Sequence, residues 1–216
     1  DGFINTNPTK ISWSRSLKQN LAKGKTFNFE PQSLTVSLYR PFNKQWLYFN
    51  RDFNEVVSQI PRIFPDANAS NRVIVLHGPG EILPFTVLMS NTAPNLHVLH
   101  GGQCFPLYLY EDPVVETDSA EPAQHALFGS SSTQPTTLQR RDAITTEGLA
   151  HFLTAYPAED ICREDIFYYV YGLLHSPEYR ERFADNLGKE LPRIPCVKPA
   201  KGFWEFSKAG RALAEL

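Results

Sequence analysis

Residues 37–50 read SLYRPFNKQWLYFN. Five aromatic side chains, Tyr39, Phe42, Trp46, Tyr48 and Phe49, share these fourteen positions with the cations Arg40 and Lys44. Residues 34–39 (LTVSLY) alternate as a half-buried strand does, and Pro41 breaks the run. Residues 45–49 (QWLYF) form a second strand, so YRPFNKQ (39–45) reads as a turn between two strands. Aromatic residues in strand-like runs usually pack a core. That assigns Tyr39, Trp46, Tyr48 and Phe49 to the sheet and leaves the cations to face a partner. Arg40 has a second reading: beside Pro41 in a turn, it can lock the fold through hydrogen bonds.

Outward from this hairpin, the N-terminal half continues as strands. Residues 72–77 (RVIVLH), 84–89 (PFTVLM), 96–100 (LHVLH) and 105–110 (FPLYLY) are apolar runs bounded by Gly, Pro and Asn. Upstream, residues 10–25 fit a short helix capped by Ser14 or Ser16 and ended by Gly24. Residues 111–145 are rich in Ser, Thr, Pro and Gln, the composition of a mobile linker or insertion. Helical patterns follow. TEGLAHFLTAY (146–156) has Thr146 as a candidate cap, and EDIFYYVYGLLH (164–175) is apolar enough for a buried helix. A further helix starts with Ser176 as N-cap, Pro177 at its first position and Glu178 in its first turn. PRIPCVKP (192–199) is extended, and FWEFSKAGRALAEL (203–216) closes the chain as an amphipathic helix. The reading is an α+β fold: a mixed, mainly antiparallel sheet in the N-terminal half and a helical C-terminal half. The parts are 1–110, the insertion 111–145, and 146–216.

With 216 residues the chain can bury a core without staples. Three well-separated cysteines suit reduced thiols in a cytoplasmic protein, not a disulfide framework. No apolar run reaches membrane-spanning length. The start at Asp1, without an initiator Met or a signal-peptide pattern, suggests a piece of a longer chain. The overall charge of −2 hides an asymmetry. Residues 1–110 carry ten cations against six acidic residues, whereas 111–216 carry eleven against seventeen. Residues 1–51 hold eight cations against Asp1 and Glu30, the electrostatic footprint of a polyanion binder.

Catalytic patterns are weak. HGPGE (77–81) follows a strand but lacks the lysine and hydroxyl of a phosphate loop, so it reads as a turn. His100 and Cys104 in HGGQC could serve a thiol hydrolase, but no third group orients them. The glycine pair there more simply lets the backbone turn sharply or come close to a partner. His77, His97 and His100 have no HxxxH or CxxC seed for a zinc site. There is no glycine-rich methyltransferase cofactor loop, no NPPY or DPPY tetrapeptide, and no nuclease carboxylate–lysine cluster.

Several blocks fall in one order: NTNPTKISWSRSLK, SLYRPFNKQWLYFN, PRIFP, HGGQCFPLYLY, EDIFYYVYGLLHSPEYRERF, LPRIP and FWEFSKAGRALAEL. Together they resemble the C-terminal target recognition region of Type ISP restriction–modification enzymes, from about residue 5 to 216 apart from the insertion. Related regions occur in adenine-specific DNA methyltransferases of other phage-defence systems. The resemblance implies a double-stranded DNA recognition module beside methyltransferase and helicase-like domains of a parent chain. The parent would use S-adenosylmethionine, ATP and Mg, whereas this piece needs no cofactor or metal and performs no catalysis itself.

On this reading Arg15, Lys18, Lys23, Lys25, Arg40, Lys44 and Arg51 meet phosphates, which position a protein without specifying sequence. Arg62, Asn68, Asn71, Arg72, His100 and Gln103 fit base readers by residue type and loop position. The helical half would support the sheet or clamp the far side of the DNA. Two alternatives stay open: an assembly module of the same parent, with 164–216 docking on other domains, and the small hydrolase using Cys104 and His100.

Overall fold

The computed structural model describes residues 3–7, 9–10, 13–81, 83–111 and 138–216. The middle of the expected insertion, 112–137, lies outside the described residues. The chain runs α1 (Arg15–Ala22), β1 (Leu34–Arg40), β2 (Asn43–Tyr48), α2 (Ile60–Ile63), β3 (Val73–Leu76), β4 (Val87–Ser90), β5 (Gln103–Pro106), β6 (Tyr108–Glu111) and β7 (Gln139–Asp142). Five helices follow: α3 (Thr146–Ala155), α4 (Arg163–His175), α5 (Pro177–Arg182), α6 (Ala184–Leu187) and α7 (Ala200–Leu213). The expected α+β order holds. All the strands pair antiparallel, as β1–β2, β4–β3–β5 and β6–β7.

The central strand β3 reads VIVL, and every one of its residues is buried. Side chains alternate across a strand, and here the alternation divides two cores. Ile74 and Leu76, with Val87 and Met89 of β4, face the helices. Val73 and Val75, with Leu88 and Cys104, face the hairpin side, where Leu38, Ile63, Phe64, Val98 and Leu99 complete a second cluster. The register agrees, because Val75 pairs with Leu88 and Cys104 while Ile74 pairs with Met89. A strand covered on both faces has no polar alternation to show. Each of its side chains contributes about 1.5–3 kcal/mol of burial.

Helix α4 is central to the helical half and buries Ile166, Phe167, Tyr168, Tyr169, Tyr171, Gly172, Leu173 and Leu174. Asp165 reaches back to the N–H of Cys162 at 3.0 Å, and Arg211 of α7 bonds Glu164 and Asp165 at 2.8 Å each. Tyr169 stacks on Phe203 with ring centroids 4.8 Å apart. Three buried tyrosines hold the extended strap 193–197. Tyr156 Oη donates to the Val197 carbonyl at 2.6 Å, Tyr179 Oη to the Arg193 carbonyl at 2.8 Å, and Tyr169 Oη to the Pro195 carbonyl. The strap forms no ladder of its own, and these hydroxyls give its carbonyls their hydrogen-bond partners.

Four local expectations are corrected. LHVLH (96–100) is a run of turns, not a strand; its apolar pattern comes from Val98 and Leu99 plugging the second core. FPLYLY is two strands, broken at Leu107, whose N–H donates to Arg72 at 2.8 Å while its carbonyl accepts from Ala143 at 3.0 Å. Residues 139–142, placed in the insertion, form β7 against β6. The cap of α3 is Thr145, whose Oγ1 accepts from Gly148 N–H at 3.1 Å, and not Thr146. Ser14 caps α1 and Ser176 caps α5, as the sequence signals imply.

Candidate nucleic-acid interface

The hairpin corrects the reading of its own aromatics. Tyr48 packs, stacked on Phe29 and edge-on to Phe53, and Phe49 joins the second core. Trp46 is 77% exposed, Tyr39 36% and Phe42 92%. Two strands with one free edge cannot cover alternate side chains on both faces, so the strand pattern did not imply burial here. The turn is tighter than expected: Arg40 pairs with Asn43, leaving only Pro41 and Phe42 between strands. Tyr39 is the extra residue of a bulge between Leu38 and Arg40, a device that re-aims side chains. Phe42 has a φ of +60°. A turn with Pro second and a left-handed residue third normally places Gly or Asn there. Phe in that conformation costs on the order of 1–2 kcal/mol.

Arg40 acts as the lock. Its guanidinium lies over the Tyr39 ring at 4.3 Å and donates to the carbonyls of Tyr39 at 2.9 Å and His97 at 3.2 Å. It ties the base of the hairpin to the loop that carries His97 and His100. The other expected phosphate contacts divide by partner. Lys25 is paired with Asp52 at 2.6 Å. Arg15 sits near Glu55, whose carboxylate accepts from Ser16 N–H at 2.5 Å and is held below the usual range by hydrogen bonds from Ser14 and Ser16. Lys18, Lys23, Lys44 and Arg51 are exposed and have no ion pair among the described residues.

The expected base readers separate further. Asn71 is 4% exposed and fully bonded. Its amide donates to the Ile63 and Tyr108 carbonyls at 2.8 Å each, and its oxygen accepts from Arg72 N–H at 2.8 Å and Tyr108 N–H at 3.1 Å. It fastens α2, β3 and β6 and has nothing left for a base. Arg72 is spent on the chain end, bonding Glu215 at 2.6 Å and the Ala214 carbonyl at 3.4 Å. Both do lie in the loop before β3, but their long-range partners leave no local signal in the sequence. Asn68 is exposed, its backbone held by the Asp66 carboxylate at 2.7 Å. Gln103 is exposed at the start of β5. His100 is exposed against Glu81. The loops beneath them need their glycines: Gly78 N–H donates to the Gly101 carbonyl at 3.1 Å, and Gly101 has φ +60°. The turn reading of HGPG and HGG therefore stands.

A cationic group on β6–β7 escaped the sequence. Arg141 grips Glu111 with two bonds, at 2.6 and 2.9 Å, and Arg62 bonds the same carboxylate. Their hydrogen bonds hold Glu111 down to about 2. Arg140 lies over the Tyr108 ring at 4.2 Å. Two arginines thus share one acidic residue, with Arg140 beside them on β7. The signal was QRRD (139–142), obscured by the composition of the segment before it.

The thiol alternative fails on geometry and chemistry. Cys104 lies in β5, opposite Val75, against the second core. Burial pushes its pKa up to about 11, so it stays a protonated thiol near neutrality. Among the described residues no three His, Cys, Asp or Glu side chains converge as metal ligands. No helix among them is long and apolar enough to cross a membrane.

Helices back a set of antiparallel sheets that present loops and cations without ion pairs among the described residues. Residues 2–216 match the Type ISP C-terminal specificity domain, and the chain belongs to that family. Three solved structures are similar. A cryo-EM complex of DrdV with DNA is 35% identical, with a TM-score of 0.75 over 94% of this chain and 17% of that one. LlaBIII, an ATP-dependent Type ISP restriction–modification enzyme bound to DNA, is 29% identical, with a TM-score of 0.71 over 95% of this chain and 12% of that one. A nuclease-deletion mutant of the Type ISP enzyme LlaGI, with a DNA substrate mimic, is 32% identical, with a TM-score of 0.68 over 99% and 14%. The chain therefore spans less than a fifth of the length of each of these proteins. No curated protein matches it.

Proposed function

We propose that this domain recognises sequence in double-stranded DNA for a restriction–modification enzyme acting in the cytoplasm. Lys18, Lys23, Lys44 and Arg51 hold phosphates, and loop side chains Asn68, His100 and Gln103, with Arg62 beside Glu111, meet base edges. In the whole enzyme the domain orients an adenine for N6 methylation from S-adenosylmethionine. It directs ATP- and Mg-dependent translocation and cleavage of unmodified DNA. The methyltransferase and helicase-like domains are its partners within the parent chain. The observation that carries this reading is the structural likeness, over 94–99% of the chain, to regions of enzymes solved on DNA.

The test is a binding isotherm at several salt concentrations with a randomised duplex pool, followed by sequencing of the retained DNA. One enriched motif and a steep loss of affinity with salt are expected. Salt-sensitive retention without a motif would reduce the domain to a phosphate-binding module. Absence of binding at low salt would overturn DNA recognition by this chain and favour the assembly role.

A further inference from the structure

We propose that Phe42 is a wedge that enters the stacked bases of duplex DNA and distorts one base step. This rests on the duplex-DNA reading above and assigns to it a residue that the phosphate and base contacts do not use.

The β1–β2 tip breaks two rules at once. A large apolar side chain stands almost fully in water, and it stands in a left-handed backbone conformation that glycine would adopt freely. No aromatic or cation contact among the described residues involves Phe42, and it stays 92% exposed. Such local conflicts, held in place by a rigid surround, collect where function needs them. The surround is rigid here. Pro41 fixes the turn, the bulge at Tyr39 sets its aim, and Arg40 bolts its base to the His97 carbonyl.

The neighbours identify the partner. Arg40 and Lys44 flank the tip, and Lys44 has no ion pair among the described residues. Exposed Trp46 follows Lys44 by two positions on the same free-edged strand, where side chains two apart share a face. An apolar point flanked by two cations suits a polyanion with a stacked apolar interior. Phe is among the residues that proteins drive between base steps, unstacking them to gain a bent duplex. A protein partner would need an apolar pocket bordered by carboxylates to match both the ring and its flanking cations.

The test uses the 216-residue chain and duplexes that it retains from the randomised pool, rebuilt with 2-aminopurine at successive positions. The unsubstituted chain is expected to raise 2-aminopurine emission at one base step. Phe42→Gly is expected to abolish that rise and weaken binding about tenfold while raising the thermal midpoint, because glycine accepts the conformation. Phe42→Leu, still apolar, is expected to keep part of the rise. Equal affinity and equal emission for Phe42→Gly would overturn the wedge, leave DNA recognition standing and assign the tip to a protein contact. No retained duplex at all for the unsubstituted chain would overturn both.

Discussion

Gly172 of α4 lies directly against Gly210 of α7. A methyl group on Gly172 would overlap the Phe206 carbonyl, and one on Gly210 the Tyr168 carbonyl. The obstacles are backbone atoms that cannot rotate away. Gly172→Ala and Gly210→Ala should each cost about 3 kcal/mol, at the upper end for overpacking. Combined, they should cost less than their sum, because the helices separate only once. Urea denaturation of the three variants measures this. A loss below about 0.5 kcal/mol for either single variant would show that α4 and α7 are not held at this distance.

Asn71 predicts a stability effect without a recognition effect. Asn71→Ala removes four hydrogen bonds and strands two carbonyls and two N–H groups around α2, β3 and β6. A loss of about 3 kcal/mol is expected, since each stranded buried group costs roughly 1–3 kcal/mol and water relieves some of them. DNA affinity per folded molecule should stay unchanged. A shifted target motif at unchanged stability would return Asn71 to the base readers.

The tyrosine clasp on the strap sets an alkaline limit. Burial pushes Tyr156 up to about 12 and raises Tyr169 and Tyr179 as well. In the unfolded chain these phenols titrate near ~10. Above that pH the unfolded state sheds protons that the native state keeps, so stability falls as pH rises. The stabilisation is complete below about pH 10 and is lost towards about pH 12. Tyrosinate absorbance and loss of helical circular dichroism should therefore rise together in that window. Ionisation of these tyrosines near pH 10 with the helices intact would contradict the clasp.

The unpaired cations predict graded salt effects. Lys44→Gln and Arg51→Gln should each lower the slope of log affinity against log salt by about 1, uniformly across sequences. Glu111→Gln should act the other way. It frees Arg62 and Arg141 from a shared counter-charge and should strengthen binding at low salt. Isotherms at three or more ionic strengths measure all three, and an unchanged slope in Glu111→Gln would place the β6–β7 arginines away from DNA.

Local rules carried much of the fold into the sequence. Ser14, Ser176 and Pro177 announced their helices because capping depends on nearest neighbours. The hairpin was legible because Pro41 interrupts two alternating runs. What failed depended on distance along the chain. Val98 and Leu99 mimicked a strand while serving as plugs, and Asn71 and Arg72 looked available until their partners arrived from residues 108 and 215. Trp46 and Tyr39 were read as core because propensity describes a pleated surface but not whether anything covers it. The site was less legible than the fold for the same reason: a cation's freedom depends on which acidic residue folds beside it.

The double-sided strand β3 sets the unit that can be exchanged between proteins. Its two faces belong to different cores, so a graft that carried the hairpin, loops and β3 sheet without the helices would arrive with Ile74 and Leu76 bare. A graft of the helices alone would leave an open wall behind. A transplanted specificity must therefore travel as the entire sheet-and-helix body, and new targets are more cheaply reached by editing loops on a retained frame.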